Sequence, residues 1–140
     1  MKLTYPTGLL RDSYDRSMTV SVKWYGSADL APHAFTNRYT YSIPSGKIYY
    51  FASVHLRILR SAVATTGDLH GICVAINVTS ESNIVASLTS SDNTLYAVKE
   101  ITYPINTFLG ANNLIISTYD FSVGGTVQYR CTLFGYEFTS

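Results

Sequence analysis

A chain of 140 residues fits one domain and is too short for two ordinary ones. A globule of this size buries about two thirds of its unfolded surface, enough for a core without metals or disulfides. Charged residues make up only 14% of the sequence, hydrophobic residues 46%, and the net charge is +1, against a usual charged share of roughly 25%. A surface so poor in charge is either covered by another molecule or finished in Ser, Thr, Asn and Tyr. The basic residues are scattered, and Arg57 and Arg60 beside His55 are the nearest thing to a cluster, which argues against a nucleic-acid-binding stripe. No apolar run approaches the roughly 20 residues of a membrane span. Met1-Lys2-Leu3-Thr4-Tyr5-Pro6 lacks the apolar core of a signal peptide, which implies cytoplasmic synthesis or a mature chain without its leader.

Residues 1–16 carry mixed charge and Pro6 without periodicity, and read as an arm preceding a single domain over 17–140. From there the hydrophobic period is close to two, the spacing that sends alternate side chains to opposite faces of a sheet. The first strand is expected over 18–25, with Val20, Val22 and Trp24 on one face. A second covers 35–43, with Tyr39, Tyr41 and Ile43 together, and Pro44-Ser45-Gly46-Lys47 follows as a proline-led turn. The third, 48–60, places Tyr50, Ala52, Val54, Leu56 and Ile58 on one face and Phe51, Ser53, His55, Arg57 and Leu59 on the other. Ile72, Val74, Ile76 and Val78 form a core stripe in the fourth, 69–79. Shorter strands are expected over 83–89 and 94–103, separated by Ser90-Ser91-Asp92-Asn93. Pro104 to Asn113 reads as a crossing loop and 114–121 as strand seven. Gly124-Gly125 reads as a tight hairpin turn into the last strand, 126–138, with Val127, Tyr129, Cys131 and Leu133 inward and Thr126, Gln128, Arg130 and Thr132 outward.

Eight strands without a capped helical pattern predict an all-β, eight-stranded antiparallel two-sheet sandwich, with the jelly roll as the topology of the right size. An immunoglobulin-like fold fits less well, because no tryptophan lies between Cys73 and Cys131; Trp24 precedes both.

Chemistry-bearing patterns are scarce. His33, His55 and His70 accompany no nucleophile in a GxSxG setting, and Asp68 and His70 read as members of a turn. The nine acids are dispersed, and neither a calcium loop, a phosphate cradle nor a CxxC pair occurs. No enzyme activity, cofactor or metal site is expected. Cys73 and Cys131 sit among apolar neighbours and suit buried thiols, though one disulfide is also compatible. Asn77-Val78-Thr79 is a glycosylation sequon taken as coincidental. Twelve tyrosines suit half-wet sheet faces, protein interfaces or sugar stacking. In the last strand, Phe134, Tyr136 and Phe138 continue the outward parity of Arg130 and Thr132, so they need a cover. With Phe51 and His55 from the third strand they form the candidate interface.

The arm, the eight segments and the closing stretch Leu114-Ile115-Ile116-Ser117-Thr118-Tyr119-Asp120, Gly124-Gly125-Thr126-Val127-Gln128-Tyr129-Arg130 and Gly135-Tyr136-Glu137-Phe138 resemble the single jelly-roll capsid proteins of icosahedral viruses. The resemblance implies a virion protein, made in the host cytoplasm, that assembles with itself and with other virion proteins as a capsid, penton or decoration subunit. Because the arm is not basic, direct nucleic-acid binding is not expected, and any membrane contact would not use a transmembrane segment. The alternative is a carbohydrate- or receptor-binding β-sandwich module, such as a viral fibre or spike head, that uses exposed tyrosines as a platform.

Overall fold

The computed structural model describes residues 36–65, 69–121 and 124–139, together with the backbone of 14–27. Eight strands follow in chain order: β1 (Tyr14–Ser27), β2 (Thr36–Ser42), β3 (Lys47–Ala62), β4 (His70–Ile76), β5 (Ile84–Ser90), β6 (Val98–Leu109), β7 (Asn113–Asp120) and β8 (Thr126–Thr139). They form two four-stranded sheets, sheet A in the order β1-β8-β3-β6 and sheet B in the order β2-β7-β4-β5.

Each strand pairs antiparallel with its mirror image along the chain: β1 with β8, β2 with β7, β3 with β6 and β4 with β5. The chain is therefore one long hairpin, with the β4–β5 connection at its tip, rolled so that β3 meets β8 and β4 meets β7. This is the eight-stranded jelly roll that the period-two pattern predicts. Between the sheets lie Val54, Leu56 and Ile58 of β3, Ile72 and Val74 of β4, Leu114 and Ile116 of β7, and Val127, Tyr129, Cys131 and Leu133 of β8. In β1 the register sets Val20, Val22 and Trp24 opposite Leu133, Cys131 and Tyr129. The turn after β2 also forms as expected: Lys47 N–H donates to the Pro44 carbonyl at 3.1 Å, and Gly46 takes a φ of 80°, which a side chain would resist.

Three expectations are corrected. Gly124-Gly125 does not close a hairpin, because β7 and β8 lie in different sheets. A Cβ on Gly125 would come within 2.8 Å of the Ala64 backbone and of Arg60 Nη1, so close approach accounts for glycine there. A turn motif allows the chain to reverse without choosing the strand it then pairs with. Residues 104–109 are not a crossing loop but the second half of β6. Pro104 is tolerated because β6 is an edge strand, paired only with β3, and the register shifts beside it; Asn106 there takes a φ of 53°, as bulges permit.

Phe51 is the third correction. The pairing of β3 with both neighbours skips between Phe51 and Ser53, and one extra residue reverses the side-chain parity. Tyr49 and Phe51 before the skip, and Val54, Leu56 and Ile58 after it, consequently all face the core. As for the arm expected over 1–16, β1 already begins at Tyr14, and residues 1–13 lie outside the described ones.

Candidate functional site

The end of β8 decides what the outer face of sheet A presents. Leu133 and Gly135 point inward, and the absent side chain of Gly135 leaves the slot taken by the Tyr49 ring; a Cβ there would collide with that ring and with the Tyr50 carbonyl. Glu137 also faces inward and is buried, accepting a hydrogen bond from Tyr41 Oη at 3.0 Å across the sandwich. Between them, Phe134 and Tyr136 face outward and are 40% and 41% exposed. The Gly-Tyr-Glu tail is thus a seat, an outward ring and an inward acceptor.

Two rings that the sequence reading missed complete this patch. Tyr50 stands in register with Tyr136 on one side and Phe108 on the other, and its ring centroid is 4.7 Å from that of Phe108. Phe108 is itself 41% exposed. Its segment reads as a loop in the sequence, and the bulge reverses the parity of Tyr50. Phe138, expected at the interface, is instead buried at 2% exposure, with the Phe108 ring among its neighbours, 6.2 Å between centroids. Of the five expected interface residues, Phe134 and Tyr136 are surface rings, Phe51 and Phe138 are buried, and His55 is half-buried.

His55 lies further along the same face. Its Nε2–H donates to Glu100 Oε2 at 3.1 Å, and Nδ1 is 2.9 Å from Thr102 Oγ1. Arg57, next on that face, stands directly opposite Arg130 of β8 and opposite Glu100 of β6. Glu100 is turned to His55 instead.

At the other end of the sandwich, Arg60, His70 and Asp120 are buried together. Arg60 Nη2 donates to His70 Nδ1 at 3.2 Å; since a guanidinium can only donate, His70 accepts there and carries its proton on Nε2. Beside them a cavity of about 360 Å³ is lined by Ile58, His70, Ser90, Asp92, Val98 and Lys99. The charged groups at its rim serve the fold. Asp92 accepts from the Thr94 backbone N–H at 2.8 Å, which holds its carboxyl below the usual range, and Lys99 Nζ donates to the Thr89 carbonyl at 2.7 Å.

Both cysteines are free and buried. Burial pushes the Cys73 thiol up to about 11 and raises Cys131 as well, so both are neutral thiols at neutral pH and poor nucleophiles. Asn77 of the sequon is held in place, its amide donating to Asn112 Oδ1 at 2.7 Å. Among the described residues no group of three or more His, Cys, Asp or Glu could hold a metal ion, and no helix is long and apolar enough to cross a membrane.

No protein-family model and no curated protein matches the chain. Among solved structures it is similar to a pilus protein of Bacillus endospore appendages, which form disulfide-linked pili, with 15% identity, a TM-score of 0.44, and coverage of 89% of this chain and 87% of that one. It is also similar to a protein of the T13 particle of infectious bursal disease virus, at 13% identity and a TM-score of 0.36, covering 91% of this chain but only 36% of the viral one. A third, BiXyn10A CBM1, has 13% identity, a TM-score of 0.35, and coverage of 92% and 100%.

Proposed function

We propose that this chain is a structural subunit that assembles with copies of itself through its jelly-roll sheets, as a capsid, penton or decoration protein of a virion, without catalysis. The observation that carries the reading is the outer face of sheet A, where Phe134, Tyr136 and Phe108 are each about two fifths exposed and lie beside Tyr50 on adjacent strands. Large rings held in water on a chain with only 14% charged residues are the features of a surface that another subunit covers. Its partners in this reading are other copies and other virion proteins, with neither nucleic acid nor a transmembrane segment involved.

The magnitudes point to many weak contacts. At this exposure the three rings offer roughly 240 Å² of surface, against about 800 Å² per partner in a standard stable interface. One such contact is weak. A closed shell in which each subunit makes several is stable because the contacts act together.

Sedimentation velocity over a wide concentration range, with negative-stain imaging of large species, tests the reading. Wild type should form concentration-dependent oligomers, rings or shells, and Phe134→Ser with Phe108→Ser should shift them to monomer. A wild-type protein that stays monomeric throughout overturns it. Saturable sugar binding lost on Tyr136→Ala would establish the carbohydrate-binding alternative instead.

A further inference from the structure

Antiparallel pairing sets Arg57 of β3 directly opposite Arg130 of β8 on the outer face of sheet A. Both are partly buried, while their chain neighbours Leu56, Ile58, Tyr129 and Cys131 fill the core. Directly opposed residues have Cβ atoms about 5 Å apart, and like charges in that position destabilise a sheet. The acid that could have neutralised the pair, Glu100 opposite Arg57, is instead engaged by His55 at 3.1 Å. Among the described residues, neither Arg57 nor Arg130 forms a hydrogen bond or ion pair. Lys23 occupies the next register position, opposite Arg130 on β1.

We propose that Arg57 and Arg130 form a binding site for a tetrahedral dianion, a phosphate or sulfate group. Two full charges side by side match a dianion. Each guanidinium presents a planar fork of N–H donors that engages two oxygens, and a tetrahedral group has enough oxygens for two forks. A carboxylate is satisfied by one fork, and a phosphodiester, with a single charge, leaves the pair half compensated. The site therefore favours an inorganic ion or a monoester over a nucleic-acid backbone. It lies four residues along β8 from Phe134, the nearest ring of the aromatic patch, roughly 13 Å at the rise of a strand, so it is a separate site and does not depend on self-assembly.

The test is an NMR titration of the full chain, following the arginine Nε–Hε signals, with sodium phosphate, sodium sulfate, phenyl phosphate and dimethyl phosphate at matched ionic strength and pH 7.5. Saturable shifts of Arg57 and Arg130 with the first three are expected, with binding weakened about tenfold or more in Arg57→Gln and in Arg130→Gln. Arg57→Lys, which keeps the charge and loses the fork, should fall between. Phenyl phosphate binding at least as well as the inorganic ion identifies an esterified ligand; weaker binding identifies the free ion. Equal binding of dimethyl phosphate, unchanged binding in both glutamine variants, or the lack of any saturable shift each overturns the site. The glutamine variants are substituted on the outer face and should fold; in low salt without anion they should melt higher than wild type, because the repulsion is gone.

Discussion

On the outer face of sheet B the edge strands expose Asn37, Thr40, Ser42, Ser87 and Thr89, with Ile115 and Tyr119 half-buried between them, whereas that of sheet A carries Tyr50, Phe108, Phe134 and Tyr136 at one end and Arg57 beside Arg130 further along. Both sheets bury their inner faces in the same core, so the contrast is not one of folding. Short hydroxyl and amide side chains are comfortable in water without a partner. Exposed rings and opposed arginines are less so; among the described strands the strongly exposed rings lie on sheet A, while other exposed apolar residues such as Val78 and Tyr96 lie in connections.

Inside and outside positions on sheet A should differ most in what their loss costs. Phe51 and Phe134 are both phenylalanines on neighbouring strands, yet one is fully buried and the other 40% exposed. Phe51→Ala should cost about 4 kcal/mol in urea unfolding, while Phe134→Ala should stay within about 0.5 kcal/mol and show its effect in sedimentation. Equal losses would mean that Phe134 is not a surface ring. Next in size, Gly135→Val drives a branched side chain into the Tyr49 ring and the Tyr50 carbonyl and should cost about 3 kcal/mol, although both its neighbours point to water. A smaller change, Tyr41→Phe, removes the donor to buried Glu137 and should cost about 1 kcal/mol by the same assay.

The last expected effect concerns pH and is absent near neutrality. Burial raises the Cys73 thiol from an ordinary value near 9 to about 11, so the folded state favours the neutral form. That contribution is present in full below about pH 9 and is lost as the pH rises through about 11. Wild type should therefore lose urea resistance over this window more steeply than Cys73→Ala, and a thiol reagent at pH 8 should modify Cys73 only after denaturation. Rapid labelling of the native protein would place the thiol nearer the surface than its packing indicates.

Much of this architecture was legible in the residues. Ile72 and Val74, or Val127 through Leu133, alternate so regularly that one face has to be buried, and the outward reach of Phe134 and Tyr136 follows from the same count. Simple alternation puts Phe51 and Tyr50 on the wrong faces because a bulge changes the count by one, and nothing local marks it. Gly124-Gly125 reads as a hairpin because glycine serves both a tight turn and a close approach. Phe138 has the parity of a surface ring, and only the fold buries it.

Read alone, the sequence determined eight strands, a two-sheet sandwich, the turn at Pro44 to Lys47 and most inward-facing positions, because these depend on neighbours one or two residues away. The tertiary structure alone decided that β1 pairs with β8 and β3 with both β6 and β8, and hence that Tyr50, Phe108 and Tyr136 share a row and that Arg57 meets Arg130. Those contacts join residues far apart in the chain, and no local propensity encodes a register that is fixed only when two whole strands bury their faces together.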